Sequence, residues 1–309
     1  MNDHENTTSK GIFSATFAYF FWGVSALYWR LLGAVSAPEL LAYRILLSLI
    51  VLLAILLLAG NLGSTIREAA VPRNALIYSL SGISIAVNWS AFIWGSIHGQ
   101  VVETGLGYLI APLLSVACGT IFLRERLTRA KSVAVLIMIA AVFLLIIRSA
   151  ELNVWVYAAI ALSFGCYSIL RKLGPLGAVP GLAVETAVLA AAILIASSLG
   201  LISFSYPLTA PNGQVAILLA CGVVSIIPLW LFSVANRALP LSTLGFFQYI
   251  LPTTQFILAV TFYKQVLSTN TVASLVLIWV ALGIVLIEAA RTHRRRSSSL
   301  AGVAVPSEV

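Results

Sequence analysis

Long apolar runs separated by short polar gaps make up the chain from residue 11 to residue 290. A helix that crosses the hydrocarbon core of a bilayer needs about 20 consecutive apolar residues, and most of the runs have that length. Prolines, glycines and asparagines lie in the gaps, as expected at helix ends. The pattern predicts an all-α integral membrane protein with ten transmembrane helices, at about 11–32, 37–59, 73–97, 101–123, 130–148, 153–172, 180–202, 213–236, 241–263 and 269–290.

The composition excludes several other classes of protein. Apolar residues make up 61% of the chain and charged residues 9%, whereas a typical soluble domain is about 25% charged. There is no phosphate-binding loop motif, and Asp3 is the only aspartate, which argues against an Asp-rich metal site. The three cysteines all lie inside apolar runs without metal-site spacing. We therefore expect no cofactor, no bound metal and no catalytic residues.

The distribution of basic residues predicts the orientation. If both termini are cytoplasmic, 14 of the 18 Lys and Arg residues lie in cytoplasmic segments and 3 lie in outer segments. Cytoplasmic loops of membrane proteins carry such an excess of positive charge. The net charge of +8 is therefore explained by the Lys and Arg residues of the cytoplasmic loops, and no nucleic-acid partner is expected.

Matching residues indicate that the chain contains two copies of one unit. A shift of 140 residues places Gly82, Gly105 and Pro112 on Gly222, Gly245 and Pro252, and a shift of 142 places Gly23 on Gly165. Each predicted copy, 11–148 and 153–290, has five spans. Because five is odd, the second copy enters the membrane inverted relative to the first. A polar segment 1–10 and a basic, Ser-rich tail 291–309, expected to be disordered, would flank the repeats in the cytoplasm.

Ionisable residues inside spans are costly and usually face the bundle interior. Arg44 and Glu103 both lie toward the predicted outer side, so we expect them to pair, whereas Glu185 lies toward the cytoplasm, too far for a direct bond to Arg44. Glu103 and Glu185 are candidates for coupling or gating, as are Pro112 and Pro252, where helices could bend. Helix packing, or hydration near the interface, is the alternative role for each.

Aromatic and amide side chains recur where a central cavity would lie. Tyr108 and Gln248 each precede a matched proline by four residues, about one helical turn, so both should face the same way as that proline. Packing between helices or an interfacial aromatic belt is the alternative, and the belt is favoured for Trp29 and Trp155. The candidate cavity residues are Trp22, Tyr28, Arg44, Asn88, Trp89, Tyr108, Gln248 and Tyr249.

Ordered motifs over residues 11–290 resemble the RarD subgroup of EamA-type carriers in the drug/metabolite transporter superfamily. They include WGVSALYWR at 22–30, ELLAYR at 39–44, VNWSAFIW at 87–94, GLGYLIAPL at 105–113 and LSTLGFFQYILPT at 241–253. The resemblance implies ten spans, an inverted repeat and a central substrate cavity. The chain departs from the family pattern at Ala26, Tyr43, Ala111 and Gln265, which bears on the substrate and not on the fold.

The repeat and the resemblance together predict a secondary transporter. It would move a small organic metabolite or drug across the plasma membrane, the bacterial cytoplasmic membrane, by alternating access, with export as the expected direction. A membrane-embedded enzyme or a channel is the alternative. The expected partners are the small-molecule substrate and the lipid bilayer. A second copy of the chain, in a homo-oligomer, is a further candidate partner.

Overall fold

The computed structural model describes residues 2–33, 35–97, 100–147, 153–201, 212–262 and 269–301, which form twelve helices and no strand. In lipid, helices satisfy every backbone hydrogen bond within one segment, so apolar runs of this length fold as helices. The helices are α1 (Asn2–Leu31), α2 (Ala37–Leu58), α3 (Leu62–Ala69), α4 (Pro72–Ile97), α5 (Val101–Ile121), α6 (Arg129–Ile147), α7 (Val154–Leu173), α8 (Ala178–Ser198), α9 (Asn212–Ala238), α10 (Leu241–Phe247), α11 (Ile250–Thr261) and α12 (Thr269–Ala301).

Seven described helices are long and apolar enough to cross a membrane, namely α1, α2, α4, α5, α7, α8 and α9. This confirms an all-helical protein with several membrane-spanning segments. The remaining predicted spans correspond to α6, to the pair α10 and α11, and to α12, whose apolar part runs from Val272 to Val285.

The helices differ from the sequence prediction in three places. The gap after α2 contains the short helix α3, whose first turn is tied by a hydrogen bond from the Thr65 hydroxyl to the Asn61 carbonyl at 2.8 Å. The predicted ninth span is interrupted at Gln248 and Tyr249. Pro252 lacks the N–H that would bond the carbonyl of Gln248 in a continuous helix. Finally, α12 continues to Ala301, through the Arg-rich segment for which disorder was expected.

The chain divides into two compact units. The first contains α1 to α5 and α7 to α11, and the second contains α6 and α12. Within the second unit, the Thr128 hydroxyl donates a hydrogen bond to the Glu288 carboxylate at 2.8 Å.

Three sets of helix contacts build the first unit. Helix α1 packs on α9 and α11, α7 packs on α4 and α5, and α2 packs on α8 and α9. Small residues allow close approach between such helices. A Cβ at Gly222 of α9 would lie 2.6 Å from the carbonyl carbon of Leu47 in α2. Buried rings fill the centre, where Tyr167 stacks on Phe232 with centroids 5.5 Å apart.

Candidate functional site

A narrow cavity lies among α1, α2, α4, α5, α7 and α11 in the first unit. Its volume is about 30 Å³, which accommodates only about two water molecules. The cavity is therefore narrow in the described conformation. The cavity is lined by Trp22, Ser25, Trp29, Arg44, Ile85, Asn88, Trp89, Phe92, Tyr108, Phe164, Leu251 and Gln255.

Helical periodicity brings most of these side chains to the cavity. Residues three or four apart share one face of a helix, and Trp22, Ser25 and Trp29 follow that spacing on α1. The same spacing on α4 aligns residues 85, 88, 89 and 92. Two helical faces therefore provide the aromatic walls.

Arg44 is the charged group of the cavity. It is 3% exposed, and its guanidinium carbon lies 3.8 Å from the ring centroid of Trp89 and 4.8 Å from that of Trp29. Such cation–π contacts stabilise a desolvated cation by about 2 kcal/mol. Among the residues that the structure describes, none forms a hydrogen bond or ion pair with Arg44, and its Nε is buried without a partner.

Neutral polar groups complete the lining. The Tyr108 hydroxyl donates to Asn88 Oδ1 at 2.9 Å, and Asn88 Nδ2 donates to the Ile160 carbonyl at 3.1 Å. Asn88 is therefore held rigidly between α5 and α7. By contrast, the Gln255 side-chain oxygen is buried with no hydrogen-bond partner within the described part of the chain.

Five of the eight predicted cavity residues, Trp22, Arg44, Asn88, Trp89 and Tyr108, line this cavity. The other three do not. Tyr28 instead donates its hydroxyl hydrogen bond to the Ile217 carbonyl of α9. Gln248 Nε2 donates to Ser115 Oγ at 2.9 Å, and Tyr249 is completely buried. The prediction for Gln248 rested on its four-residue spacing from Pro252, and this spacing does not determine which neighbouring helix the side chain meets.

The expected ion pair between Arg44 and Glu103 is wrong. Both residues are described, and no ion pair joins them. Glu103 is buried in the first turn of α5, while Arg44 faces the rings of Trp29 and Trp89. The prediction compared only depth in the membrane, and depth does not determine which way a side chain points around its helix.

Elsewhere in the first unit, Glu185 forms a buried network. One of its carboxylate oxygens accepts hydrogen bonds from Ser81 Oγ at 2.6 Å and from Arg171 Nη1 at 3.2 Å. Arg171 Nη2 also donates to Ser233 Oγ at 2.7 Å and to the Ala178 carbonyl at 3.3 Å. We call Ser81, Arg171, Glu185 and Ser233 the Arg171–Glu185 network. It joins α4, α7, α8 and α9.

Further contacts secure the chain beside this network. The Tyr78 hydroxyl accepts from the Leu176 amide at 2.7 Å, and Arg237 donates to the carbonyls of Gly174 and Pro175 at 3.2 and 2.8 Å. Lys172 donates to two carbonyls at the end of α9, at 2.5 and 2.6 Å. The loop between α7 and α8 is thus fixed from both α4 and α9.

The matched prolines have different surroundings. Pro112 lies inside α5, which continues without interruption from Val101 to Ile121. Pro252 lies in the first turn of α11, directly after the break. Among the departures from the family pattern, Tyr43 is half-buried beside Leu40, and Ala111 is buried in the core. Gln265 lies outside the described residues.

Sequence reasoning missed three important residues. Trp29 was assigned to the interface, although its spacing from Trp22 and Ser25 places all three on one face. Gln255 was not among the eight predicted cavity residues, although it lines the cavity. Arg171 was not among the predicted buried charges, although it is 5% exposed. Its position at the end of an apolar span gives no signal of the buried partner Glu185.

Comparison with known proteins gives consistent results. Residues 9–147 match the EamA-like transporter family. A protein named RarD from Salmonella typhi is 35% identical over 294 residues, covering 94% of this chain and 98% of that protein. A RarD protein of Streptomyces exfoliatus is 37% identical, covering 97% and 95%. One solved crystal structure, at 20% identity, has a TM-score of 0.63 and covers 93% of this chain and 99% of that one, which shows a shared fold.

Proposed function

The chain belongs to the RarD-type EamA-like transporters, and on that basis we propose that it carries a small organic solute across the plasma membrane by alternating access. The names of the family and of its relatives indicate a membrane transporter rather than an enzyme. The direction that we propose is export. The solute would bind in the cavity at Arg44, with Trp22, Asn88, Trp89 and Tyr108 as its walls.

Reciprocal contacts between the two predicted halves support the alternating-access part of this proposal. A Cβ at Gly105 would lie 3.4 Å from Phe256 Cζ, and a Cβ at Gly245 would lie 3.0 Å from Val116 Cγ2. The 140-residue shift converts Gly105 into Gly245 and Val116 into Phe256, so each contact is the repeat image of the other. Contacts that exchange in this way are the signature of two-fold symmetry.

A second pair of contacts follows the same rule. Gly23 of α1 approaches Thr254 of α11, and Gly165 of α7 approaches Leu114 of α5, with Cβ distances of 2.5 and 3.1 Å to the facing Cβ atoms. Gly165 corresponds to Gly23 and Leu114 to Thr254 under the shifts of 142 and 140 residues. The fifth span of each predicted repeat, α6 and α12, lies in the second unit. These observations support an inverted repeat of ten spans.

Inverted halves allow alternating access because each half can adopt the conformation of the other. The Arg171–Glu185 network lies at the predicted cytoplasmic side and has no counterpart made of the same residue types, since the repeat places Tyr43 at the position of Glu185. We propose that this network is the inner gate and that it is closed in the described conformation. Glu103, Pro112 and Pro252 keep their proposed roles in coupling or bending.

The experiment compares small molecules in cells that produce the protein or its Arg44→Ala variant at equal membrane levels. We expect at least one organic solute to be enriched outside the wild-type cells, and the purified protein to move that solute across liposomes. If no solute differs, or if no enriched solute crosses liposomes, the proposal is wrong. Single-channel currents would favour a channel, and a chemically altered solute would favour an enzyme.

A further inference from the structure

The charge of the cavity identifies the class of solute, and this inference rests on the proposed function. We propose that the solute is an organic acid whose carboxylate binds the Arg44 guanidinium and whose planar apolar body lies between the cavity tryptophans. Neither the family nor the names of the relatives specify an acid.

Among the described residues, Arg44 lacks the carboxylate partner that a buried cation normally has. A buried cation is normally stabilised by a carboxylate, because an unpaired charge in a low-dielectric interior is costly. Arg171 in the same unit follows this rule through Glu185 at 3.2 Å. Arg44 is equally buried, yet its ionisable neighbours are Cys221, Tyr108 and Tyr28, and none of these is a carboxylate. The cavity therefore holds a positive charge for which the described residues supply no anion.

The guanidinium of Arg44 has the hydrogen-bonding geometry that a carboxylate requires. A guanidinium binds a carboxylate through two parallel hydrogen bonds, and Arg44 forms no hydrogen bond with described residues that a ligand would have to break. The rings of Trp29 and Trp89, at 4.8 and 3.8 Å, stabilise the cation only through their faces. Arg44 contacts the ring faces of Trp29 and Trp89, and no described residue accepts a hydrogen bond from its N–H groups, which are therefore available to a carboxylate.

The aromatic lining and the Gln255 amide oxygen determine which ligand body would fit beside the carboxylate. Trp22, Phe92 and Phe164 add aromatic lining to the cavity, and aromatic rings prefer stacked or edge-to-face partners. Gln255 adds an unpartnered buried amide oxygen at the same cavity. That oxygen can accept one hydrogen bond from a hydroxyl or amine of the ligand. A compact aromatic acid matches all three features, and it would enter when the cavity of about 30 Å³ opens.

The test uses three ligands that share a ring and differ in their head group, namely phenylacetate, phenylacetamide and 2-phenylethylammonium. Binding to the purified full-length protein is measured by calorimetry and by quenching of tryptophan fluorescence. We expect phenylacetate to bind about ten- to a hundredfold more tightly than phenylacetamide, the range that charge-assisted hydrogen bonds provide. Phosphate and chloride at equal concentration should compete only weakly, because they lack the ring.

Variants assign the effect to Arg44. Arg44→Gln should remove the preference for the acid, so that phenylacetate binds no more tightly than phenylacetamide. Arg67→Gln removes an exposed arginine of α3 and should change neither affinity. Arg44→Lys keeps the charge but not the planar geometry, so it should retain a weaker preference for the acid. This second variant gives an answer if Arg44→Gln does not fold.

Several outcomes would overturn the inference. They are tighter binding of the amide or the amine than of the acid, unchanged acid binding in Arg44→Gln, equal binding of phosphate, and no acid binding at all. Liposome flux separates this inference from the proposed function. If acids bind but nothing crosses, the transport proposal fails and the anion site stands. If a neutral or cationic solute crosses and acids do not bind, the transport proposal stands and the anion site fails.

Discussion

Breaking the ion pair of Arg171 and Glu185 should destabilise the protein far more than removing a surface charge. Both side chains are 3% exposed, and their N···O distance is 3.2 Å. Glu185→Gln keeps an oxygen that can accept from Ser81 but leaves the guanidinium without a counter-charge. Breaking a buried pair in this way costs about 3–5 kcal/mol. At roughly 2–4 °C per kcal/mol for mid-sized chains, a loss of about 3–5 kcal/mol should lower the melting temperature by roughly 6–20 °C.

The assay is thermal unfolding in detergent, followed by tryptophan fluorescence. Glu68→Gln, at an exposed glutamate of α3, is the matched control and should change the melting temperature by about 1 °C, because isolated surface charges contribute little. The double variant Glu185→Leu with Arg171→Met removes both charges and should recover much of the loss. The reasoning is refuted if Glu185→Gln behaves like Glu68→Gln, or if the double variant is as unstable as the single one.

The remaining predictions concern packing, hydrogen bonding and topology. Gly222→Ala should cost about 1–3 kcal/mol of stability, because its Cβ would lie 2.6 Å from the backbone of α2, whereas Gly63→Ala meets open space and should not destabilise. Tyr108→Phe should cost about 1–3 kcal/mol, because it leaves the amide oxygen of its partner unpaired; an unchanged melting temperature would contradict this. In a cysteine-free background, an impermeant thiol reagent added outside cells should label Ser198→Cys and not Ser64→Cys. The reverse labelling would overturn the predicted orientation.

The sequence predicted those features that follow from apolar length and helical period. Continuous apolar runs mark the helices because lipid forces each run to satisfy its own backbone. Asn88, Trp89 and Trp22 were chosen as polar or aromatic residues within apolar spans, and the structure places all three at the cavity. The proposed repeat rests on matched glycines such as Gly105 and Gly245, which lie where helices approach closely.

The partners of charged residues could not be predicted in the same way. Arg44 and Glu103 were matched by depth, and Arg171 and Glu185 were not matched at all. Depth follows from position along a helix, but pairing also depends on how each helix is rotated and which neighbours it packs against. The interruption at Gln248 was likewise not predicted. Pro112, which the 140-residue shift matches to Pro252, lies in a continuous helix, so a proline alone does not determine where a helix is interrupted.

Alternating exposure of the Arg44 cavity is the central claim, and thiol labelling of Ser25→Cys tests it most directly. Ser25 lines the cavity, and the variant is made in a cysteine-free background and labelled from either face of membrane vesicles. We expect labelling from both faces. A thiol cross-linker that joins Tyr78→Cys to Leu176→Cys, across the contact beside the inner gate, should abolish labelling from the cytoplasmic face and leave labelling from the outer face. Labelling from one face only before cross-linking, or from both faces after it, would contradict the account.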